Sequence, residues 1–402
     1  MKLTIPVNWE DDYFDKIDFS QTEELYGKLN VGLIGGGRPA LTLPEVKKEK
    51  VKDFVEEAHR RGLKFNYLMN GTCFDNLEIT KTGYKDIRKT LDWLSEMNVD
   101  GISVSLPMVM EIIKKNYPHF SISVSVQVRI DSFEKARYWE SLGADKLNIS
   151  YVDINKNFDE IRKIKEKTSC KIQTIANLMC MNKCPMVTLH ANYNAHASQK
   201  NHVSGNFSFD YYLFSCAERL LSNPVEILRS AFIRPEDLHY YEAAGVDNIK
   251  LVERIMTTDA LARIVSAYTK RSYDGNMMDL IHGLSKYLIY NKDQYYWKGI
   301  KYVLQPSKIN LFKAYKLVNK LDAIRKEKAF NESFDLYIDN KKLDGFLDFF
   351  HKGHCKRDCT QCSYCDQFAE KAIRYLVPVE QHEHTMNSLR EARNMMIKGE
   401  LF

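Results

Sequence analysis

The chain has 402 residues, 44% of them hydrophobic and 28% charged, a length and balance that exclude disordered, collagenous and low-complexity classes. Its net charge of +5, from 58 basic and 53 acidic residues, is too small and too spread to argue alone for a nucleic-acid surface. No run of about 18 apolar residues is present to span a bilayer, and the opening MKLTIPVNWEDD turns acidic within a dozen residues, so the expectation is a cytoplasmic protein with no membrane partner.

The first two-thirds alternate short β-branched runs with longer amphipathic stretches, the pattern of repeated βα units. The predicted strands are Leu3–Val7, Val31–Ile34, Lys64–Met69, Gly101–Leu106, Ser121–Val126, Lys146–Ile149, Lys171–Ala176 and Asn248–Val252. Helices are expected between them at Leu43–Arg61, Tyr84–Met97, Ser132–Leu142 and Phe158–Lys167, two of them closing at Gly62 and Gly143. Eight such units predict an α/β fold, a (β/α)8 TIM-type barrel over residues 1–276.

From Thr257 onward the period is helical, with segments at Thr258–Lys270, Met277–Leu288, Ile309–Arg325, Leu343–Phe350 and Gln381–Lys398. Residues 277–402 therefore read as a helical C-terminal appendage. Within it Lys298–Lys328 carries a basic run, either a solvated helix face or a dock for an anionic partner such as RNA or an acidic carrier.

Nine cysteines without a signal peptide point to reduced thiols rather than disulfides. Cys355, Cys359, Cys362 and Cys365 form C-x3-C-x2-C-x2-C, gaps that let thiolates converge on one small inorganic core, so iron–sulfur ligation is expected, with zinc the competitor. A radical-SAM reading is rejected, because that motif belongs in the first βα loop and this one follows the barrel. Cys180 and Cys184 come directly after a predicted strand, at the carboxyl face where barrel active sites assemble. Cys216 offers a third ligand beyond an insertion, and Cys73, after the third strand, is the preferred fourth. Should Cys73 not ligate, one position could stay open to substrate or a histidine could close it. Cys170 reads as structural.

The insertion holds His190, His196 and His202. Their spacing misses the i,i+4 pair of a helical metal site, and His190 is the best candidate for acid–base work. Gly35-Gly36-Gly37-Arg38 is either an anion-cradling loop, with Arg38 adding a fixed charge, or simply a turn needing glycine freedom. Lys250, Glu253 and Arg254 end the eighth strand, pointing to the site or forming rim ion pairs. Neither HExxH nor G-x-S-x-G occurs.

The stretch Arg234-Pro235-Glu236-Asp237-Leu238, then Gly245 through Arg254, then Ala267-Tyr268 and Tyr273-Asp274-Gly275-Asn276, resembles the peptidase U32 or collagenase-like family over roughly residues 1–276. Cys180 and Cys184 match the position of family cysteines. The resemblance implies a TIM-type barrel carrying an oxygen-sensitive [4Fe-4S] cluster, in a family linked both to peptide hydrolysis and to oxygen-independent hydroxylation of ubiquinone precursors, transfer RNA or ribosomal RNA. The insertion after Cys184 and the second cysteine cluster depart from the family pattern. A second cluster serves as an electron relay and has no evident use in a peptidase, which favours redox modification of a biosynthetic or macromolecular substrate. Two clusters are expected, with Arg38 and Arg254 binding an anionic group, small, carrier-bound or RNA, and with an electron donor protein as partner. The alternatives are a U32 peptidase and a non-enzymatic iron–sulfur scaffold docking through Ile309–Lys328.

Overall fold

The structure is a computed structural model that describes residues 1–281, 301–317 and 336–402. Eight parallel strands close in chain order into a barrel: β1 (Lys2–Pro6), β2 (Thr22–Gly27), β3 (Lys64–Met69), β4 (Gly101–Val104), β5 (Ser121–Val124), β6 (Lys146–Asn148), β7 (Lys171–Ile175) and β8 (Asn248–Lys250), with β8 pairing back to β1. This is the expected TIM-type fold. The helices Lys48–Arg60, Lys81–Glu96, Pro107–Asn116, Phe133–Ser141, Phe158–Lys167 and Thr258–Lys270 belong to its outer ring. Gly62, Gly143 and Gly245 each take positive φ just past a helix, closing it before the next strand as the repeated helix–glycine–strand phrase predicts.

Strand alternation sorts the side chains. Ile5, Leu25, Phe65, Ile102, Ile122, Leu147, Ile172 and Ile249 are fully buried and belong to the main apolar core. The opposite face turns into a polar barrel interior in which several groups pair: Ser103 Oγ donates to Asn66 Oδ1 at 2.6 Å, Asn148 Nδ2 to Ser123 Oγ at 3.0 Å, and Gln173 Nε2 to Thr4 Oγ1 at 2.7 Å. Buried polar atoms are tolerated because they are paired.

One strand differs from the sequence expectation. β2 is Thr22–Gly27, and Val31–Ile34 lies in the loop that follows it. Two adjacent acids disguise the strand. Glu24 points inward and accepts from Lys146 Nζ at 3.0 Å, whereas Glu23 accepts from Lys171 Nζ and Asn248 Nδ2, both at 2.6 Å.

The C-terminal region is not purely helical. β9 (Leu336–Ile338) pairs antiparallel with β10 (Ile373–Tyr375). The expected helix Leu343–Phe350 is instead the 3₁₀ turn Lys341–Leu343 and the short helix Asp348–His351, separated by Gly345 at φ +78°. Met277–Asp279 is a single 3₁₀ turn, residues 311–317 are helical, and the final helix runs Val379–Ile397. The remainder of the expected Met277–Leu288 and Ile309–Arg325 helices, and much of the basic run Lys298–Lys328, lies outside the described residues. Of that run, Lys308 Nζ donates to Ser204 O, and Ile309, Ala314 and Leu317 pack with Ala392, Met396 and Leu401 in a second small core.

This region is bound to the barrel by named contacts. Buried Arg234 donates Nε to Asp237 at 2.9 Å, Nη1 to Asn340 O and Nη2 to Asp344 at 2.9 Å. The final helix packs against helix Tyr211–Ser222 of the insertion, where Arg390 and Arg393 pair with Glu218.

Candidate active site

A cavity opens at the carboxyl ends of the strands, the face on which (β/α)8 enzymes assemble their chemistry. Tyr26, Asn70, Gln127, Tyr151, Lys250 and Arg254 are among its lining residues, together with Arg38 and Glu253. Arg38 Nε and Nη2 donate to Glu253 Oε2 at 3.2 and 3.1 Å, and its Nη1 to Gly37 O at 2.9 Å. Burial works against the Arg38 charge, but the Glu253 carboxylate outweighs it and holds the guanidinium above its ordinary pKa.

Arg254 is less well compensated. Burial lowers its pKa, Tyr26 and Glu253 offset this only in part, Arg38 adds repulsion, and its buried Nη1 has no hydrogen-bond partner among the described residues. Two lysines share the predicament. Burial, then the charge of Arg254, brings Lys28 down to about 7, and its buried Nζ also lacks a partner among the described residues. Lys250 is likewise brought to about 7 by burial, its Nζ 3.9 Å from the centre of the Tyr26 ring. Four cationic side chains thus share this region, and an anion entering it would relieve their desolvation.

The glycine loop is mainly a packing device. Gly36 N–H donates to Ser198 Oγ at 3.0 Å and Gly35 N–H to Gly32 O at 3.3 Å, so these donors are already used. A Cβ on Gly35, at φ +77°, would lie 2.1 Å from Ala195 O. Loop and insertion touch backbone to backbone, and the turn reading prevails over the anion-cradle one. Arg38 alone of this stretch supplies charge.

The thiols flank the insertion. Cys180 and Cys184 are hydrogen-bonded to each other, and Cys216 lies within electrostatic reach of both. Their shared bond, then burial, raises Cys180 well above the ordinary thiol. Cys184 is held lower by the same bond, and the backbone N–H groups of Met186 and Val187 and the charge of His190 add to this. Burial, then Cys184 and Asp210, pushes Cys216 up to about 12. Tyr151, whose hydroxyl bonds Cys180, joins this trio to the cavity. His190 sits on helix Val187–His196 rather than in a loop, its Nε2 3.0 Å from Asp210 Oδ2 and its ring stacked on Tyr212.

Cys73 keeps other company. Its Sγ, a carboxylate oxygen of Asp75 and a ring nitrogen of His196 all lie within 4.8 Å of one another, whereas the charged groups acting on Cys180 are Cys216, Cys184 and Arg38. Cys170 is buried with its thiol directed at Ala144 O, 3.1 Å away, in keeping with a structural role.

The late cysteine loop folds against the barrel wall. Cys355, Cys359 and Cys365 line one cavity with Tyr151, Lys156 and Arg229, and Arg357 Nη1 donates to Asp153 O. Burial pushes Cys365 up to about 11 while Lys156 and Arg229 pull it back. Lys156 is itself lowered to about 8 by burial, its ammonium donating to Leu228 O and Ser230 O. The surrounding cations suit a core carrying thiolate charge.

Sequence reasoning missed Lys28, Asn70 and Gln127 beside the mouth and Tyr151, Lys156 and Arg229 around the late thiols. Lys28 directly follows β2, so placing that strand correctly would have exposed it. Gln127 follows β5 and Tyr151 follows β6, positions that strand-end reasoning reaches.

The sequence model of Peptidase family U32 matches residues 41–277. An uncharacterized protease of Methanocaldococcus jannaschii is 28% identical over 341 residues, covering 85% of this chain and 86% of the relative. The tRNA hydroxylation protein P1 of Bacillus subtilis is 24% identical over 233 residues, covering 55% of this chain and 52% of that protein. Among solved structures, the U32 peptidase Mk0906 aligns with a TM-score of 0.48 and 24% identity, covering 63% of this chain and 93% of its own. No helix among the described residues is long and apolar enough to cross a membrane.

Proposed function

Because the chain belongs to peptidase family U32, we propose that it is an iron–sulfur enzyme carrying out oxygen-independent, hydroxylation-type modification of an anionic substrate, with RNA the favoured class. The carrying observation is the adjacency of three mutually interacting thiols, Cys180, Cys184 and Cys216, to a cavity holding Arg38, Arg254 and Lys250. Relatives named for tRNA hydroxylation support the reaction type. In this reading Cys180, Cys184 and Cys216 hold a [4Fe-4S] cluster with one position left to substrate, and Cys355, Cys359, Cys362 and Cys365 hold a second. The clusters supply one-electron chemistry. The chain's own residues bind the anion through Arg38 and Arg254, orient Cys180 through Tyr151, and surround the late thiols with Lys156 and Arg229. With no O2 consumed, the hydroxyl oxygen would come from water or another oxygen donor, and a redox partner protein would carry the substrate's two electrons to or from the outer cluster.

The test is anaerobic purification with iron and sulfide counting and EPR. About eight irons per chain are expected from two four-iron cores, together with an oxygen-bearing nucleoside in RNA treated with the enzyme, an oxygen donor and a redox partner that accepts the electrons. Stoichiometric zinc without iron would sink the reading.

A peptidase is the second reading. Cys184 lies within electrostatic reach of His190, which Asp210 holds through Nε2, an arrangement of thiol, imidazole and carboxylate of the kind nucleophilic catalysis uses. Peptide turnover that persists in Cys359→Ala would favour it.

A further inference from the structure

We propose that Cys73, Asp75 and His196 form a separate mononuclear site for a borderline divalent transition ion, zinc by its ligand set, tying the loop after β3 to the end of the insertion helix. The three side chains come from two distant segments, and their donor atoms lie within 4.8 Å of one another. Cys73 Sγ is 3.7 Å and His196 Nε2 3.6 Å from the same oxygen, Asp75 Oδ1. Tetrahedral zinc with bonds of about 2.3 Å to sulfur and about 2.0–2.1 Å to nitrogen and oxygen has corresponding edges of about 3.6 and 3.3 Å. The atoms stand close to where a small ion would draw them.

A second observation points to a ligand. His196 Nε2 is buried from solvent and has no hydrogen-bond partner among the described residues. A desolvated ring nitrogen aimed at a carboxylate, yet too far to bond it, is costly unless something lies between.

The neighbours orient these groups. His202 stacks on His196 with ring centres 4.2 Å apart. Its Nδ1 accepts from Ser204 N–H at 3.1 Å, so its Nε2 carries the proton and faces Asp75 Oδ2 at 3.4 Å. His202 is therefore a positioning residue and not a ligand. Gln199 Nε2 donates to the same Oδ2 at 3.2 Å. Oδ2 is held by the Gln199 amide with His202 Nε2 close by, and Oδ1 is presented to the ion, the outer-shell arrangement that fixes metal-binding carboxylates. Ala195, beside His196, is pinned by Gly35. Sulfur and imidazole ligands disfavour magnesium and calcium. Three protein ligands leave a fourth position, and Asp75 is exposed, so water completes the shell.

The test uses the full chain, purified anaerobically, equilibrated with one equivalent of Zn²⁺ and desalted. Metal analysis should find one zinc per chain. Zinc-edge X-ray absorption should show one sulfur at about 2.3 Å with the remaining ligands nitrogen or oxygen near about 2.0 Å. His196→Ala and Asp75→Ala should lose that zinc while iron and sulfide counts stay unchanged, which separates this site from the iron–sulfur reading. A shell of four sulfurs would place the zinc in the late cysteine loop and overturn the proposal. So would no retained zinc, or full retention in both variants. Should a variant fail to fold, the sulfur count of the wild-type spectrum still decides.

Discussion

Arg38 and Glu253 meet across the barrel mouth, two guanidinium nitrogens donating to the single oxygen Oε2 at 3.2 and 3.1 Å. Glu253 is 2% and Arg254 5% exposed, so neighbouring residues in sequence bring one acid and one base into the same dry region. The acid is hydrogen-bonded to Arg38, while Arg254 and Lys250 line the cavity with Lys28 close by. Glu253→Gln removes the compensating charge. Breaking a buried pair from one side costs roughly 3–5 kcal/mol, and the variant should unfold at correspondingly lower urea while binding sulfate more tightly. Added sulfate should restore part of the loss by mass action. Unchanged stability and unchanged sulfate affinity would show that the pair does not balance this cavity.

Lys250 gives the site a pH dependence whose sign can be worked out. Its folded pKa is about 7 against about 10.4 for a free lysine. Between those values the unfolded chain holds more protons than the folded one, so this group makes stability rise with pH from about 7 to about 10. Anion binding runs oppositely, because the charged ammonium is the better partner. Sulfate, which does not titrate in this range, should bind up to about 10-fold more tightly at pH 6 than at pH 8, the size of one charge-assisted hydrogen bond. Lys250→Met should flatten much of that slope, with Lys28, also near 7, supplying the remainder. Calorimetric titrations at the two pH values read the effect directly, and equal affinities in the wild type would refute it.

Deeper in the barrel, Glu24 and Lys146 form an ion pair at 3.0 Å with side chains 11% and 7% exposed. Lys146→Met strands a carboxylate in the interior and should cost roughly 3–5 kcal/mol, whereas the double change Glu24→Leu with Lys146→Met should recover most of it, since apolar replacement of a buried pair is often neutral. Urea unfolding of both variants checks this. A double variant no more stable than the single one would mean that the pair is required for barrel closure.

That same pair explains where the sequence was opaque. Seven of the eight strands were legible because each carries an apolar face at period two, from Ile5 in β1 to Ile249 in β8. β2 was not, because its inward position is an acid whose partner lies 122 residues away, and no local pattern reveals a pairing of that separation. The mouth was half legible for a related reason. Lys250 and Arg254 follow from a strand end and Arg38 from the glycine run, while Lys28 was hidden by the misplaced strand. The insertion read as loop histidines because helix Val187–His196 is barely amphipathic. Consequently the stacking of His196 on His202 and their approach to Asp75 could come only from tertiary structure. Cys73 was assigned to the barrel-mouth thiols by its strand-end position, a rule that names the face of the barrel but not the neighbour on it.

The late cysteines offer the sharpest separation of readings. Cys359 shares its cavity with Cys355, Cys365 and Tyr151, and Tyr151 also lines the mouth cavity and bonds Cys180. One residue thus borders both thiol groups, and electrons passing between them would have a short route. Under the proposed two-cluster reading, Cys359→Ala removes a ligand from the outer group only. Iron should fall from about eight to about four per chain, with the EPR signal of the inner cluster retained. Sulfate should bind as in the wild type, because Arg38, Arg254 and Lys250 are untouched. Multiple turnover with a redox partner protein should be lost, while a single turnover starting from enzyme chemically poised at the active oxidation level should survive. That split is what a relay requires. If Cys359→Ala abolishes single turnover as well while sulfate binding persists, the outer group acts in the chemistry itself and the relay assignment fails.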